Sequence, residues 1–202
     1  RAVAALAAMA MTLTACATRE DVATISYKVH DGLRTGAGHT VALTVHDART
    51  QDRGKIANKT NPYGMEMAAI RADREVTAIV KDALEAELKG RGFAIGNDGA
   101  SATVAINRFY ATFQSHVFSA EAVGDVKFHV AVTSPAGAPV YEREVDASGV
   151  EPGILLANGS NAAAALSDGL GKAFDTLFSD PAFLAALESG AGESSSNVKA
   201  GS

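Results

Sequence analysis

Over residues 40–46 apolar and polar side chains alternate, with Val41, Leu43 and Val45 on one face and Thr40, Thr44 and His46 on the other. A period of two is the pattern of a half-buried strand. In the same parity Asp47 and Arg49 continue the apolar face past the strand end. There, opposite charges two residues apart can pair with each other or bond a neighbouring helix terminus. From Val76 the period changes: Val76, Ile79, Val80, Ala83, Leu84 and Leu88 form the stripe of an amphipathic helix, with Asp73 as its N-cap. If Gly92 takes the left-handed C′ position, Phe93 at C″ falls opposite Leu88 at C3, the hydrophobic contact of a Schellman cap.

Three strands follow. Residues 103–113 are β-rich, but their apolar parity changes between Ile106 and Phe109, which predicts a bulge at Asn107 or Arg108. Val126, Phe128, Val130 and Val132 alternate against Lys127, His129 and Thr133 in the clearest strand of the chain. A turn at Ser134-Pro135-Ala136-Gly137 leads to residues 140–148, where Tyr141, Val145 and Ala147 share a face and Glu142, Glu144 and Asp146 face water. Asn158, Gly159 or Ser160 then caps a second helix striped by Ala163, Leu166, Leu170, Phe174, Leu177 and Phe178, in which Gly169 and Gly171 permit close packing. Asp180-Pro181 restarts a short helix ending near Leu187, Asp as N-cap and Pro at N1.

A strand, a helix and a returning strand favour a parallel crossover, and the later hairpins add an antiparallel meander. The expectation is an α+β two-layer sandwich: a four-stranded mixed sheet with two helices on one face, in the order strand, helix, three strands, helix. Residues 50–71, rich in Gln, Asp, Lys, Asn and Gly, read as a long loop that is either functional or mobile. Within it Ile56, Tyr63, Met65 and Met67 are apolar groups in a polar stretch. A hairpin tip at 115–123 holds Val117 and Phe118 without an evident core to fill. Tyr63, Val117 and Phe118 are therefore candidate partner contacts, or else fold back over the sheet.

The first fifteen residues are an apolar run opened by Arg1 and closed by Leu13-Thr14-Ala15, directly before Cys16. The run is shorter than the ~20 apolar residues that span a bilayer. A buried core helix is the other bland reading, opposed by the N-terminal position, the basic start and the small residues before the Cys. A short apolar stretch closed by small residues is the pattern of a cleaved secretory leader, and Leu-Thr-Ala-Cys resembles the lipobox of bacterial lipoproteins. The expected organisation is a truncated signal peptide over 1–15, a lipidated Cys16 and tether over 16–38 with Ile25 and Tyr27 docking on the domain edge as a short strand, one α+β domain over 39–188 and a disordered tail over 189–202.

The whole chain carries 18 basic and 23 acidic residues. Losing Arg1 with the leader leaves 17 basic residues against 23 acidic, a formal charge of −6. That balance argues against nucleic acid, whose binding rests on clustered Lys and Arg. With its single cysteine acylated, the chain retains no thiol for a disulfide, a nucleophile or a zinc site.

Together the lipobox, Val45-x-Asp47-x-Arg49, Asn61-x-Tyr63-Gly64, Leu88-x-x-x-Gly92-Phe93 and the Tyr110 strand resemble the YajG-type family of uncharacterised bacterial lipoproteins. The resemblance implies a place in the Gram-negative envelope. Ala17 lacks the Asp that retains lipoproteins at the inner membrane of enteric bacteria, which implies the inner leaflet of the outer membrane, facing the periplasm.

The chemistry in the sequence is sparse. His30, His39, His46, His116 and His129 are scattered, with no H-x-x-x-H pair, and no phosphate loop, G-x-S-x-G elbow or paired-carboxylate motif is present. No catalytic residue, no metal site and no cofactor is expected. Asp47 and Arg49 read as a salt bridge locking the strand end or as a binding pair. The expectation is a non-catalytic, lipid-anchored envelope protein that binds or organises another envelope component, with a small-ligand or cell-wall-fragment binder as the alternative and a hydrolase third.

Overall fold

The computed structural model describes residues 19–29, 36–61, 63–115 and 119–189. Within them one mixed sheet holds eight strands: β1 (Asp21–Ala23), β2 (Thr40–Asp47), β3 (Ala57–Thr60), β4 (Glu66–Ala72), β5 (Ala94–Ile95), β6 (Ala100–Ser115), β7 (Ala120–Thr133) and β8 (Pro139–Pro152). Helix α1 (Val76–Gly90) lies between β4 and β5, and α2 (Gly159–Phe178) and α3 (Pro181–Glu188) follow β8.

The long strand β6 is the hub. On one edge it pairs antiparallel with β7, and β7 with β8. On the other edge it takes two partners in succession. Its first half pairs parallel with β2, from Val41↔Ala100 to Asp47↔Ile106, which is the expected crossover through α1. Its register then shifts between Ile106 and Arg108, at the bulge that the parity change predicts. Beyond the bulge the same edge takes β3 in parallel, at Ala57↔Ala111. β3 pairs antiparallel with β4, and β4 pairs parallel with β1.

The α+β class stands, but three expectations of its detail do not. The sheet has eight strands rather than four, the short helix at Asp180-Pro181 makes three described helices where the sandwich counted two, and the order is four strands, a helix, four strands, two helices. The 50–71 stretch is not a loop but carries the β3–β4 hairpin. Its strands escape pattern reading because neither alternates: β3 reads Ala-Asn-Lys-Thr, and in β4, Glu-Met-Ala-Ala-Ile-Arg-Ala, only Ile70 is buried. Ladder bonds to neighbours hold them, with Ala57 and Ile70 as their buried core contacts. β1 and β5 span three and two residues, too few for any period to register.

Residues before 39 also belong to the fold. Ala23 and Ile25 are buried and Tyr27 packs against the core, so the 16–38 stretch read as tether contributes a strand and core side chains. Ile25 and Tyr27 dock as extended chain after β1 rather than as a strand themselves.

The helices share one continuous core. α1 packs on β2 and β5, and α2 on β6, β7, β8 and β1. The end of α1 follows the sequence closely: Phe93 N–H donates to Leu88 O and Gly92 N–H to Lys89 O, both at 3.0 Å, with Gly92 at φ +90°. These are the two bonds of a Schellman cap. Its start does not, because the N-cap is Glu75 without a side-chain bond, while the Asp73 N–H donates to Ala23 O. Asn158 caps α2 by accepting from Asn161 N–H at 2.9 Å, and Asp180 caps α3 by accepting from Ala182 N–H at 2.9 Å.

α2 rests on the sheet backbone to backbone. Gly124 and Gly149 face each other across β7 and β8. A Cβ on Gly149 would lie 2.1 Å from Ala165 O and 2.2 Å from Gly169 N, and one on Gly169 would lie 2.6 Å from Gly124 O. Three glycines thus remove the side chains that would hold helix and sheet apart.

Candidate functional site

The pair singled out by the sequence sits where the edge of β6 changes partner. β2 ends at Asp47, Ala48 N–H still donates to Ile106 O at 3.0 Å, and β3 is engaged only at Ala111, whose N–H donates to Ile56 O. Between these points the backbone of β6 has no strand beside it on this edge. Arg49 fills the gap. Its Nε and Nη2 donate to the two oxygens of Asp47 at 2.9 and 2.8 Å. Nη2 also donates to Arg53 O at 3.1 Å, and Nη1 to Asp52 O at 3.4 Å and Phe109 O at 3.5 Å.

A guanidinium has five N–H donors, and here all five have protein acceptors. Arg49 is only 4% exposed. Arg53 completes the wrap, donating from Nε to Arg49 O at 2.6 Å and from Nη2 to Asp47 O at 2.9 Å. The turn between them is tight enough to hold Asp52 at φ +56°. The bidentate bond from Arg49 holds the Asp47 carboxyl below the usual carboxylate range, against the opposing effect of its partial burial.

Beside this clasp lies a cleft of about 100 Å³, lined by Arg49, Gln51, Asp52, Asn107 and Tyr110 among others. Pockets that enclose small molecules run to roughly 300–1,000 Å³. Burial, with the charges of Asp52 and Glu66, pushes the Tyr110 phenol up to about 12, so it stays protonated at neutral pH. The sequence therefore brings Asp47 and Arg49 together as expected, in an arrangement whose donors serve the backbone. Among the described residues no group of three or more His, Cys, Asp or Glu is placed to hold a metal ion.

A second ionic cluster escapes the sequence reading. Glu87 of α1 is fully buried. The Tyr27 hydroxyl donates to its Oε1, and Arg91 Nη2 lies 3.2 Å from Oε2. The Arg91 guanidinium stacks 4.4 Å over the Phe178 ring, and Tyr27 meets Phe174 edge to face. Burial and the Glu87 carboxylate push the Tyr27 phenol well above its ordinary range, so it remains a donor. The signal was present, since Glu87 stands at i+4 from Ala83 and i+7 from Val80, inside the apolar stripe.

The most exposed large apolar residues lie at one end of the sheet. Tyr63 is 87% exposed, Leu155 96% and Leu156 75%, and Met65 is exposed beside Tyr63. Asn61 builds the turn that presents Tyr63 and Met65, its Oδ1 accepting from both of their N–H groups at 3.0 Å. Asn61 also lines a cleft of about 270 Å³ together with Phe113, Ser115, Ser119, Leu155 and Leu156. These residues form an apolar pole where the β3–β4 turn, the β6–β7 connection and the β8–α2 loop meet. Val117 and Phe118 lie between Ser115 and Ser119 but, like Cys16, outside the described residues. β7 begins at Ala120, so the tip is shorter than the 115–123 expected. Among the described residues no helix is long and apolar enough to cross a membrane.

A family model described as an uncharacterised lipoprotein, Lipoprotein_16, matches residues 30–188. No curated protein matches the chain. Among solved structures, protein XCC0632 from Xanthomonas campestris is similar at a TM-score of 0.56 and 14% identity, covering 79% of this chain and 91% of that one. A minor lipoprotein from Acinetobacter baumannii is similar at a TM-score of 0.39 and 10% identity, covering 70% of this chain and 92% of that one.

Proposed function

The chain belongs to this family of uncharacterised lipoproteins, the YajG type, and from that premise we propose that it is a non-catalytic, lipid-anchored envelope protein that works by contact at its apolar pole. The anchor is Cys16, acylated after cleavage of residues 1–15. Two or three acyl chains, at about 0.8 kcal/mol per buried methylene, hold a domain to a membrane durably. Ala17 after the lipidated residue supports delivery to the outer membrane, with the domain in the periplasm.

The observation that carries this reading is the contrast between the two candidate regions. At the Asp47–Arg49 clasp every guanidinium donor is already engaged by the protein itself. At the pole, Tyr63, Leu155 and Leu156 are left bare. Binding of a small ligand or cell-wall fragment at Asp47 and Arg49 draws no support from a cleft of about 100 Å³. The clasp is structural, and the pole, with Tyr63, Val117 and Phe118, is where an envelope component is met.

A photo-crosslinking residue in place of Tyr63 or Phe118 in intact envelopes should give a discrete adduct, whether to protein or to lipid. The same residue in place of Val140, at the far end of β8, should give none. Equal labelling at all three positions, or none at the pole, would refute the reading.

A further inference from the structure

We infer that the apolar pole of Tyr63, Met65, Leu155 and Leu156 seats in the interfacial layer of the same bilayer that holds Cys16, so that the domain is docked on lipid as well as tethered to it. The inference rests on the anchor proposed above and adds the identity of what the pole meets. Three observations converge on it.

The first is reach. Cys16 precedes the start of β1 by five residues, and an extended chain covers at most about 3.5 Å per residue. The acylated residue therefore lies within about 17 Å of Asp21. The second is direction. β1 runs parallel to β4 with Asp21 opposite Ile70, so the chain before Asp21 heads toward Glu66 and the turn that carries Tyr63 and Met65. Glu20, next before β1, is held to the same strand, its carboxylate accepting from Arg71 at 2.9 and 3.0 Å. Asp21 is also fixed to the other side of the pole: its Oδ2 accepts from Gly159 N–H at 2.8 Å, three residues beyond Leu156. A chain leaving the sheet on this course points the proposed anchor toward the pole end of the domain.

The third is chemistry. The cleft between the two apolar groups is lined by hydroxyls, an amide and apolar side chains, with no charged residue among them. Uncharged polar groups beside Tyr, Leu and Met match the boundary between headgroups and acyl chains, where an amphipathic ring lies half in each. The net negative charge of the chain favours apolar insertion over electrostatic attraction to anionic lipid as the means of contact.

The chain contains no tryptophan, so a single introduced one reports its own depth. Leu155→Trp and, as control, Val140→Trp would be made in the full lipidated chain and reconstituted into phosphatidylcholine vesicles carrying brominated acyl chains. The residue at 155 should emit to the blue and be quenched by bromine, while that at 140 does neither. Because Leu155 is almost wholly exposed, its melting temperature should match the parent, and Leu156→Trp serves as a second reporter.

Unquenched emission at 155 and 156 overturns the docking, as does equal quenching at 155 and 140. A blue shift without quenching that grows with protein density assigns the pole to a second copy of the chain, and overturns it likewise. Intact mass separates the two levels. An acyl mass on Cys16 with no quenching removes the docking and keeps the anchor; no acyl mass overturns both.

Discussion

Replacing Asp47 by Asn removes one charge and almost no volume, and the structure fixes what that should cost. Arg49 would keep its three backbone carbonyl acceptors but lose a bidentate carboxylate while remaining 4% exposed. Leaving one member of a buried ion pair unmatched costs roughly 3–5 kcal/mol. The retained carbonyls and the 23% exposure of the Asp47 side chain put this case at the lower end, about 3 kcal/mol. For a domain of this size that is a fall in Tm of roughly 6–12 °C at pH 7.

The pH dependence follows from the lowered Asp47 pKa. A carboxyl whose folded pKa lies below its unfolded value, about 3.9, stabilises fully above that value and loses its contribution as pH falls through the folded one. The gap in urea stability between parent and Asp47→Asn should thus be constant from neutral pH down to about pH 5 and close below about pH 4. Combining Asp47→Asn with Arg49→Met should cost less than the sum of the two, since the pair acts as a unit. A fully stable Asp47→Asn, or a gap that persists unchanged into acid, would refute the assignment of the clasp to stability.

Other substitutions should separate the same way. Gly149→Ala drives a methyl into the backbone of α2 and should destabilise by about 3 kcal/mol or more, read from urea unfolding. Tyr27→Phe withdraws a donor from the buried Glu87 carboxylate and should cost about 1.5–3 kcal/mol; an unchanged urea midpoint would contradict that role. Tyr63→Ser should leave stability within about 0.5 kcal/mol while weakening pole contacts. Phe118→Ser should leave Tm unchanged and reduce crosslinked recovery; a large fall in Tm with unchanged recovery would place that side chain in the core.

The elements legible in the sequence are those whose own residues encode them. β2 and β7 alternate with period two, α1 ends in a Leu-x-x-x-Gly-Phe cap, Asp180-Pro181 opens α3, and the parity break marks the bulge at Asn107. The elements that were missed are stabilised by their neighbours. β3 and β4 are strands because β6 and β1 offer them unpaired edges, and a stretch without alternation carries no trace of that. The pair Asp47 and Arg49 was visible through parity, but its purpose was not, because the acceptors for Arg49 include Phe109 O, sixty residues away. Gly124 and Gly149 carried a readable sign, glycine inside a strand, whose meaning appears only when α2 lies across both.

The parallel pairing of β1 also decides how the domain bears mechanical load. With the anchor proposed at Cys16, a pull from the membrane would enter at Glu20 and act along the axis of β1, so its ladder bonds to β4 would be loaded in shear, all together, rather than unzipped one by one. Asp21 diverts part of that pull through Gly159 into the N-terminus of α2. A strand of three residues can thus serve as the grip of a tethered domain, with the force shared between sheet and helix before it reaches the core.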